Sequence, residues 1–122
     1  MEIDRKIQDA VTVIRFAGDL DIYAMPSMHD EFRACLDLNS NHIVVNLGQV
    51  DALYSSGVGA LISYSQQLKK QNRRLALAAL SNSARHVLQL MKLLPFFEIF
   101  ETEALAVAAV GVEKNNAGPQ PS

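Results

Sequence analysis

The residues best suited to chemistry stand together at Tyr54-Ser55-Ser56-Gly57-Val58-Gly59. Two hydroxyls there meet the start of a helical pattern, and two glycines follow within its first turn. Open N–H groups at a helix N-terminus attract negative charge, so a phosphate carried on one of these serines would be well placed. The glycines keep side chains away and let another protein's backbone approach. Spacing alone favours a plainer role, in which Ser55 or Ser56 is only an N-cap.

Other reactive side chains offer less. His29, His42 and His86 fall on separate elements with no i, i+4 partner, so they read as surface or strand-end histidines and no metal site is expected. Cys35 is the single cysteine, which excludes an internal disulfide and a thiolate metal cluster. Its place on an apolar helix face makes it a small core thiol. Asp19 and Asp21 could flank a cation or phosphate, but acids this near Gly18 ordinarily stabilise a turn. No phosphate-binding loop, dinucleotide fingerprint or Gly-x-Ser-x-Gly element is present, and no base is evidently paired with Ser56. Neither a cofactor nor enzymatic activity is expected.

The elements that must position these groups follow from hydrophobic periodicity. Glu2 to Ile7 alternates, with Ile3 and Ile7 on one face; Gln8 and Asp9 make a turn, and Val11 to Phe16 returns as the second strand of a hairpin. Gly18-Asp19-Leu20-Asp21 reads as a loop. Met28, Phe32, Cys35 and Leu36 then mark a helix, with Pro26 in its first turn. His42 to Leu47 is a nearly continuous apolar strand covered on both faces, and Gly48 to Tyr54 a loop. Ser55 to Gln71 is helical, with Val58, Leu61, Ile62, Ser65 and Leu68 facing inward. Leu75 to Leu80 is a third covered strand. Ser83 caps a helix whose inner face is Val87, Leu88 and Met91 and which Pro95 stops. Phe96 to Phe100 is a short final strand, and Thr102 begins a last helix through about Val110. The expected fold is α/β: an N-terminal hairpin leading into a mainly parallel mixed sheet of about five strands, with about four helices and right-handed crossovers.

The chain of 122 residues has room for one core, spanning 1–112, with a flexible C-terminal tail over 113–122. Eleven basic residues oppose thirteen acidic ones, a net charge of -2. The only basic cluster, Lys69, Lys70, Arg73 and Arg74, sits where a helix ends and complements its dipole, so no nucleic-acid partner is expected. The longest apolar stretch, Ala104 to Val112, is far short of the roughly 20 residues that cross a bilayer. Nor does an export signal open the chain, and a cytoplasmic location without membrane insertion is expected.

In order, Gly18-Asp19-Leu20-Asp21, the strand His42-Ile43-Val44-Val45-Asn46-Leu47 and the element Ser55-Ser56-Gly57-Val58-Gly59 resemble the STAS domain family, and more closely its bacterial anti-sigma factor antagonists. The resemblance runs from the first strand to about Val112 and implies a partner switch. The unphosphorylated antagonist binds an anti-sigma factor that is also a serine kinase; phosphorylation releases it, and a PP2C-type phosphatase reverses the step. By the same resemblance the acceptor is the serine before the glycine, Ser56, with Ser55 as the alternative. The implied partner surface comprises Asp19, Asp21, Tyr23, Tyr54, Ser55, Ser56, Gly57 and Gly59, together with Tyr64 and Gln67 on the outward face of the helix. The family usually carries an acid two residues before the acceptor, where this chain has Tyr54. A second expectation from the same family is an unphosphorylated subunit of a membrane transport complex that docks on an ATPase.

Overall fold

In the computed structural model, described for residues 1–117 and for side chains as far as 111, the chain opens on a hairpin. Strands β1 (Glu2–Gln8) and β2 (Val11–Leu20) are antiparallel and joined by Asp9-Ala10, whose φ values of 52° and 62° are those of a tight primed turn. The turn is thus one residue later than the expected Gln8-Asp9. Helix α1 (Met25–Leu38), strand β3 (His42–Leu53), helix α2 (Ser55–Lys69), strand β4 (Leu75–Ala78), helix α3 (Asn82–Leu90), strand β5 (Glu98–Phe100) and helix α4 (Glu103–Ala117) follow. The sheet order is β1-β2-β3-β4-β5, and every pairing after the hairpin is parallel. The mixed α/β fold expected of the chain is the one observed.

Three successive parallel crossovers of one hand put α1, α2 and α3 on the same face of the sheet. There Ile14, Phe16, Ile43, Val45, Leu47, Leu75 and Leu77 meet Met28, Phe32, Cys35, Leu61, Leu68 and Leu88. The alternate strand residues Val11, Val13, Val44, Ala76 and Ala78 face the other way, onto Ala106, Val107 and Val110 of α4. Small strand residues on that face let the alanine-rich α4 lie close. This two-sided burial is what the unbroken run Ile43-Val44-Val45 encodes.

Local chain geometry corrects several expected boundaries. Gly18 to Leu20 and Gly48 to Leu53 are strand rather than loop, because β2 and β3 continue in register through Asp19↔Ala52 and Leu20↔Leu53 after irregularities around Phe16 and Gly18. Helix α2 ends at Lys69, where Asn72 turns left-handed (φ 58°) and the Arg73 N–H bonds back to the Leu68 carbonyl. Ser81, not Ser83, caps α3, its hydroxyl accepting from Ala84 N–H at 3.1 Å. That helix stops through left-handed Lys92 before Pro95 is reached, which leaves Met91 past its end and 44% exposed. Residues 94–96 form a 3₁₀ turn and shorten β5 to Glu98–Phe100. The last helix outruns its expected end near Val110, and 118–122 of the expected tail lie outside the described residues.

Arg73 also departs from expectation. Grouped by sequence with surface cations, it is buried, donating from Nε to the Asn41 carbonyl at 2.8 Å and from one terminal nitrogen to Gln71 Oε1 at 3.0 Å. It ties the end of α2 to the start of β3, while Arg74 pairs with Glu98.

The N-terminus of α4 is held by charge. Glu103 accepts from Arg15 at 2.8 and 2.7 Å and from Asn46 Nδ2 at 2.9 Å, with Lys6 Nζ at 3.2 Å. The Arg15 hydrogen bonds outweigh burial and, with Asn46 and Lys6, hold this carboxyl at about 2, well below its usual 4.5. A carboxyl depressed on folding stabilises the protein above its unfolded pKa, and that stability fades as pH falls from near 4.5 toward 2. Because Arg15 is 42% exposed, the contribution is about 1–2 kcal/mol rather than the full shift. Urea titrations should therefore show wild type ahead of Glu103→Gln by that amount at neutral pH and the gap closed near pH 2. An equal gap at both pH values refutes it.

Candidate functional site

The ends of β2 and β3 build the site. Leu20 pairs with Leu53, and the Leu20 carbonyl then accepts from Tyr54 N–H at 3.1 Å, which fixes where α2 begins. Tyr54 is the N-cap in extended conformation and makes no side-chain cap bond. The first intrahelical bond is Val58 N–H to the Tyr54 carbonyl at 3.0 Å, so the N–H groups of Ser55, Ser56 and Gly57 have no partner within the helix. Neither serine is therefore the N-cap; they occupy the first two helical positions. Ser55 is exposed and Ser56 half-buried.

The two glycines have different jobs. A Cβ on Gly57 would lie 2.8 Å from the Leu20 carbonyl oxygen and 3.1 Å from Leu53 Cδ1, so its bareness seats the first turn of α2 on the sheet. Gly57 is buried and faces inward, which corrects its expected place on a partner surface. Around Gly59 nothing lies within 4 Å of such a Cβ, and it remains the open approach.

Beside the helix start, Asp21 Oδ1 accepts from Tyr23 N–H at 3.0 Å and Ala24 N–H at 3.1 Å, capping the 3₁₀ turn Ile22–Ala24. The turn-stabilising role expected of a loop acid is what Asp21 performs. The turn displays Ile22 at 68% and Tyr23 at 89% exposure, and Tyr54, bonded to Leu20 just before the turn, is 51% exposed. A shallow cleft of about 290 Å³ runs along it past Asp19, Asp21, Tyr23 and Ser27. Segments 17–24 and 50–59 carry Asp19, Asp21 and Asp51 and not one Lys or Arg. The rim thus combines bulky apolar groups, acid and an accessible hydroxyl. Ile22 is not among the individually expected surface residues, although the Asp21 cap two residues before Tyr23 signals the exposed turn.

Gln67 is exposed on α2, but Tyr64 is not. Its ring stacks on Phe32 with centroids 4.0 Å apart, its hydroxyl lies 2.6 Å from His29 Nδ1, and burial pushes its pKa up to about 12. Tyr64 joins α1 to α2 and leaves the outward face. Tyr64→Phe should cost about 0.5–1.5 kcal/mol in urea unfolding and leave partner affinity untouched; a loss of affinity would return Tyr64 to the binding surface. Cys35 is buried, with its thiol pushed up to about 12 chiefly by burial, as befits a core thiol rather than a nucleophile. His29, His42 and His86 lie on α1, β3 and α3, and His42 Nδ1 accepts from Arg74 N–H at 2.9 Å.

Comparison with known proteins agrees with this fold. An anti-sigma-B factor antagonist of Staphylococcus aureus is 23% identical over 82 residues, covering 67% of this chain and 76% of that one. An anti-sigma factor antagonist from Mycobacterium paratuberculosis superposes with a TM-score of 0.80 at 24% identity, over 89% of this chain and 92% of its own. The Bacillus cell fate determinant SpoIIAA in its phosphorylated form gives 0.69 at 24% identity, over 89% and 99%. Those two likenesses speak to fold. The family model for the STAS domain matches residues 2–106, nearly the whole described chain, and the chain belongs to that family.

Proposed function

We propose that this protein is an anti-sigma factor antagonist in a partner-switching pathway, acting by binding and not by catalysis. In its unphosphorylated form the rim of Asp19, Asp21, Tyr23, Tyr54, Ser55, Ser56, Gly59 and Gln67 docks on an anti-sigma factor that is also a serine kinase. The kinase transfers the γ-phosphoryl group of ATP to Ser56 Oγ: the new P–O bond forms as the bond to ADP breaks, and the hydroxyl proton passes to a base of the kinase. A PP2C-type phosphatase hydrolyses the ester and restores the docking form. A cytoplasmic location belongs to the same proposal, since ATP and the proposed partners act there; among the described residues no helix is long and apolar enough to cross a membrane.

The observation that carries the reading is a half-buried serine at the second position of α2, preceded by exposed Ser55 and Tyr54 and set among N–H groups without helical partners. A phosphate there adds about -1.5 to -2 charge where the helix dipole favours it, so α2 should not melt. Release then comes from repulsion and steric block at the surface, sharpened by the acids already present on the rim. The name of the Staphylococcus relative supports the antagonist assignment, and the phosphorylated form of the Bacillus protein supports control by phosphorylation. Intact-mass measurement with a candidate kinase and ATP, followed by peptide mapping, tests it. One added phosphoryl group on Ser56 is expected. Modification confined to another residue overturns the site, and copurification with a transporter ATPase in place of a soluble kinase overturns the pathway.

A further inference from the structure

The outer edge of the sheet carries a pattern that the signalling site does not use. Strand β1 ends the sheet, and among the described residues no strand pairs with its far side. In a hairpin closed by a two-residue turn the flanking residues, Gln8 and Val11, form a hydrogen-bonded pair. Alternation along the ladder then commits Lys6, Asp4 and Glu2 to β2 and turns the N–H and C=O groups of Ile3, Arg5 and Ile7 outward. The strand reads Glu-Ile-Asp-Arg-Lys-Ile-Gln, which is complementary to itself when reversed about Arg5.

We propose that β1 is a docking edge for a second copy of this chain, paired antiparallel about a two-fold axis through Arg5. That register sets Ile3 opposite Ile7 and Asp4 opposite Lys6, each twice, and Glu2 opposite Gln8. The outward backbone groups of Ile3, Arg5 and Ile7 fall into hydrogen-bonded pairs with those of Ile7, Arg5 and Ile3 in the other copy. Ile7 is 55% exposed, an apolar side chain on an open edge that the pairing would cover. On the helix side the two Arg5 residues meet at the axis, where each is already neutralised by its own Glu31 at 2.7 Å. On the α4 side Asp4 is 66% exposed beside Arg15, and Lys6 lies beside Glu103, so the new Asp4–Lys6 contacts extend an alternating chain of charge. Ser56 and the exposed turn Ile22–Ala24 lie past the β1–β2 ladder, and the cleft along that turn reaches the N-terminal segment only at Met1, outside the paired residues Glu2–Gln8. The dimer therefore stands or falls apart from the signalling reading.

Edge pairing buries less than a standard interface of about 1,600 Å², so the dimer should be weak and populate between about 10 µM and 1 mM. Sedimentation equilibrium of the full chain across that range tests it. Ile7→Pro removes an N–H that β2 does not need and should weaken association at least tenfold with thermal unfolding nearly unchanged. Asp4→Lys, which sets like charges opposite one another at both ends, should weaken it about fivefold or more. A monomer at every concentration overturns the proposal, as does a dimer that either variant leaves intact.

Discussion

Ser56→Asp is expected to weaken binding of the anti-sigma partner by at least about 30-fold, since an unpaired charge forced into an interface costs roughly 2–5 kcal/mol. The same substitution should leave the fold intact. Ser56 is the second residue of α2, and an acid in the first turn is favoured by the dipole by about 0.3–1 kcal/mol. Calorimetric titration against the partner, with circular dichroism on the same sample, separates the two effects. Full affinity in the folded variant would falsify the switch, and lost helicity would show that the charge acts on folding instead. Ser56→Ala keeps the small surface and removes the acceptor, so it should bind with near wild-type affinity and resist the kinase. Ser55→Ala should still take up phosphate, because the neighbouring hydroxyl is the one proposed to react.

Gly57→Ala is expected to destabilise by about 1–3 kcal/mol, and Gly59→Ala, two residues on, to stabilise by up to about 1 kcal/mol. The opposition is the point. The Cβ added at Gly57 meets the Leu20 carbonyl oxygen at 2.8 Å, and that oxygen cannot retreat, because it accepts from Tyr54 N–H and belongs to the strand paired with β3. The clash can be relieved only by lifting the first turn of α2 or opening the β2–β3 junction. Either movement displaces Ser56, so Gly57→Ala should also slow phosphorylation. At Gly59 the added methyl meets nothing and simply reduces the freedom of the unfolded chain. Urea unfolding of the two variants decides the matter, and a Gly57→Ala variant as stable as wild type or more so would show that Gly57 has no packing role.

Periodicity made the architecture legible. Ile43-Val44-Val45 announced a strand covered twice, Met28-Phe32-Cys35 a helix face, and the alternation of strand and helix a parallel sheet; the structure has all three. The boundaries near the site were less legible. Gly18-Asp19 and Gly48 to Tyr54 carry turn residues, yet β2 and β3 run on because each supplies the other's hydrogen-bond partners. Tyr64 shows a different failure. It stands three residues after Leu61 and four before Leu68, which is core spacing, but a tyrosine on a helix beside a candidate site invites an outward placement. Its hydroxyl could be buried only because His29 on α1 supplies a partner.

What the linear order of residues determined was the alternation of elements, the two-sided core and the position of Ser56 just after a strand and at the start of a helix, since each depends on neighbours a few places apart. Only the tertiary structure decided that Gly57 is a packing residue and Gly59 an open one, that Arg73 is an internal clamp, and that the Leu20 carbonyl meets Tyr54 where α2 begins. Those outcomes rest on contacts between segments 30 or more residues apart in the chain, Leu20 with Tyr54 and Asn41 with Arg73 among them. Chain spacing carries no information about which distant carbonyl will be there to meet a donor, or to forbid a methyl group.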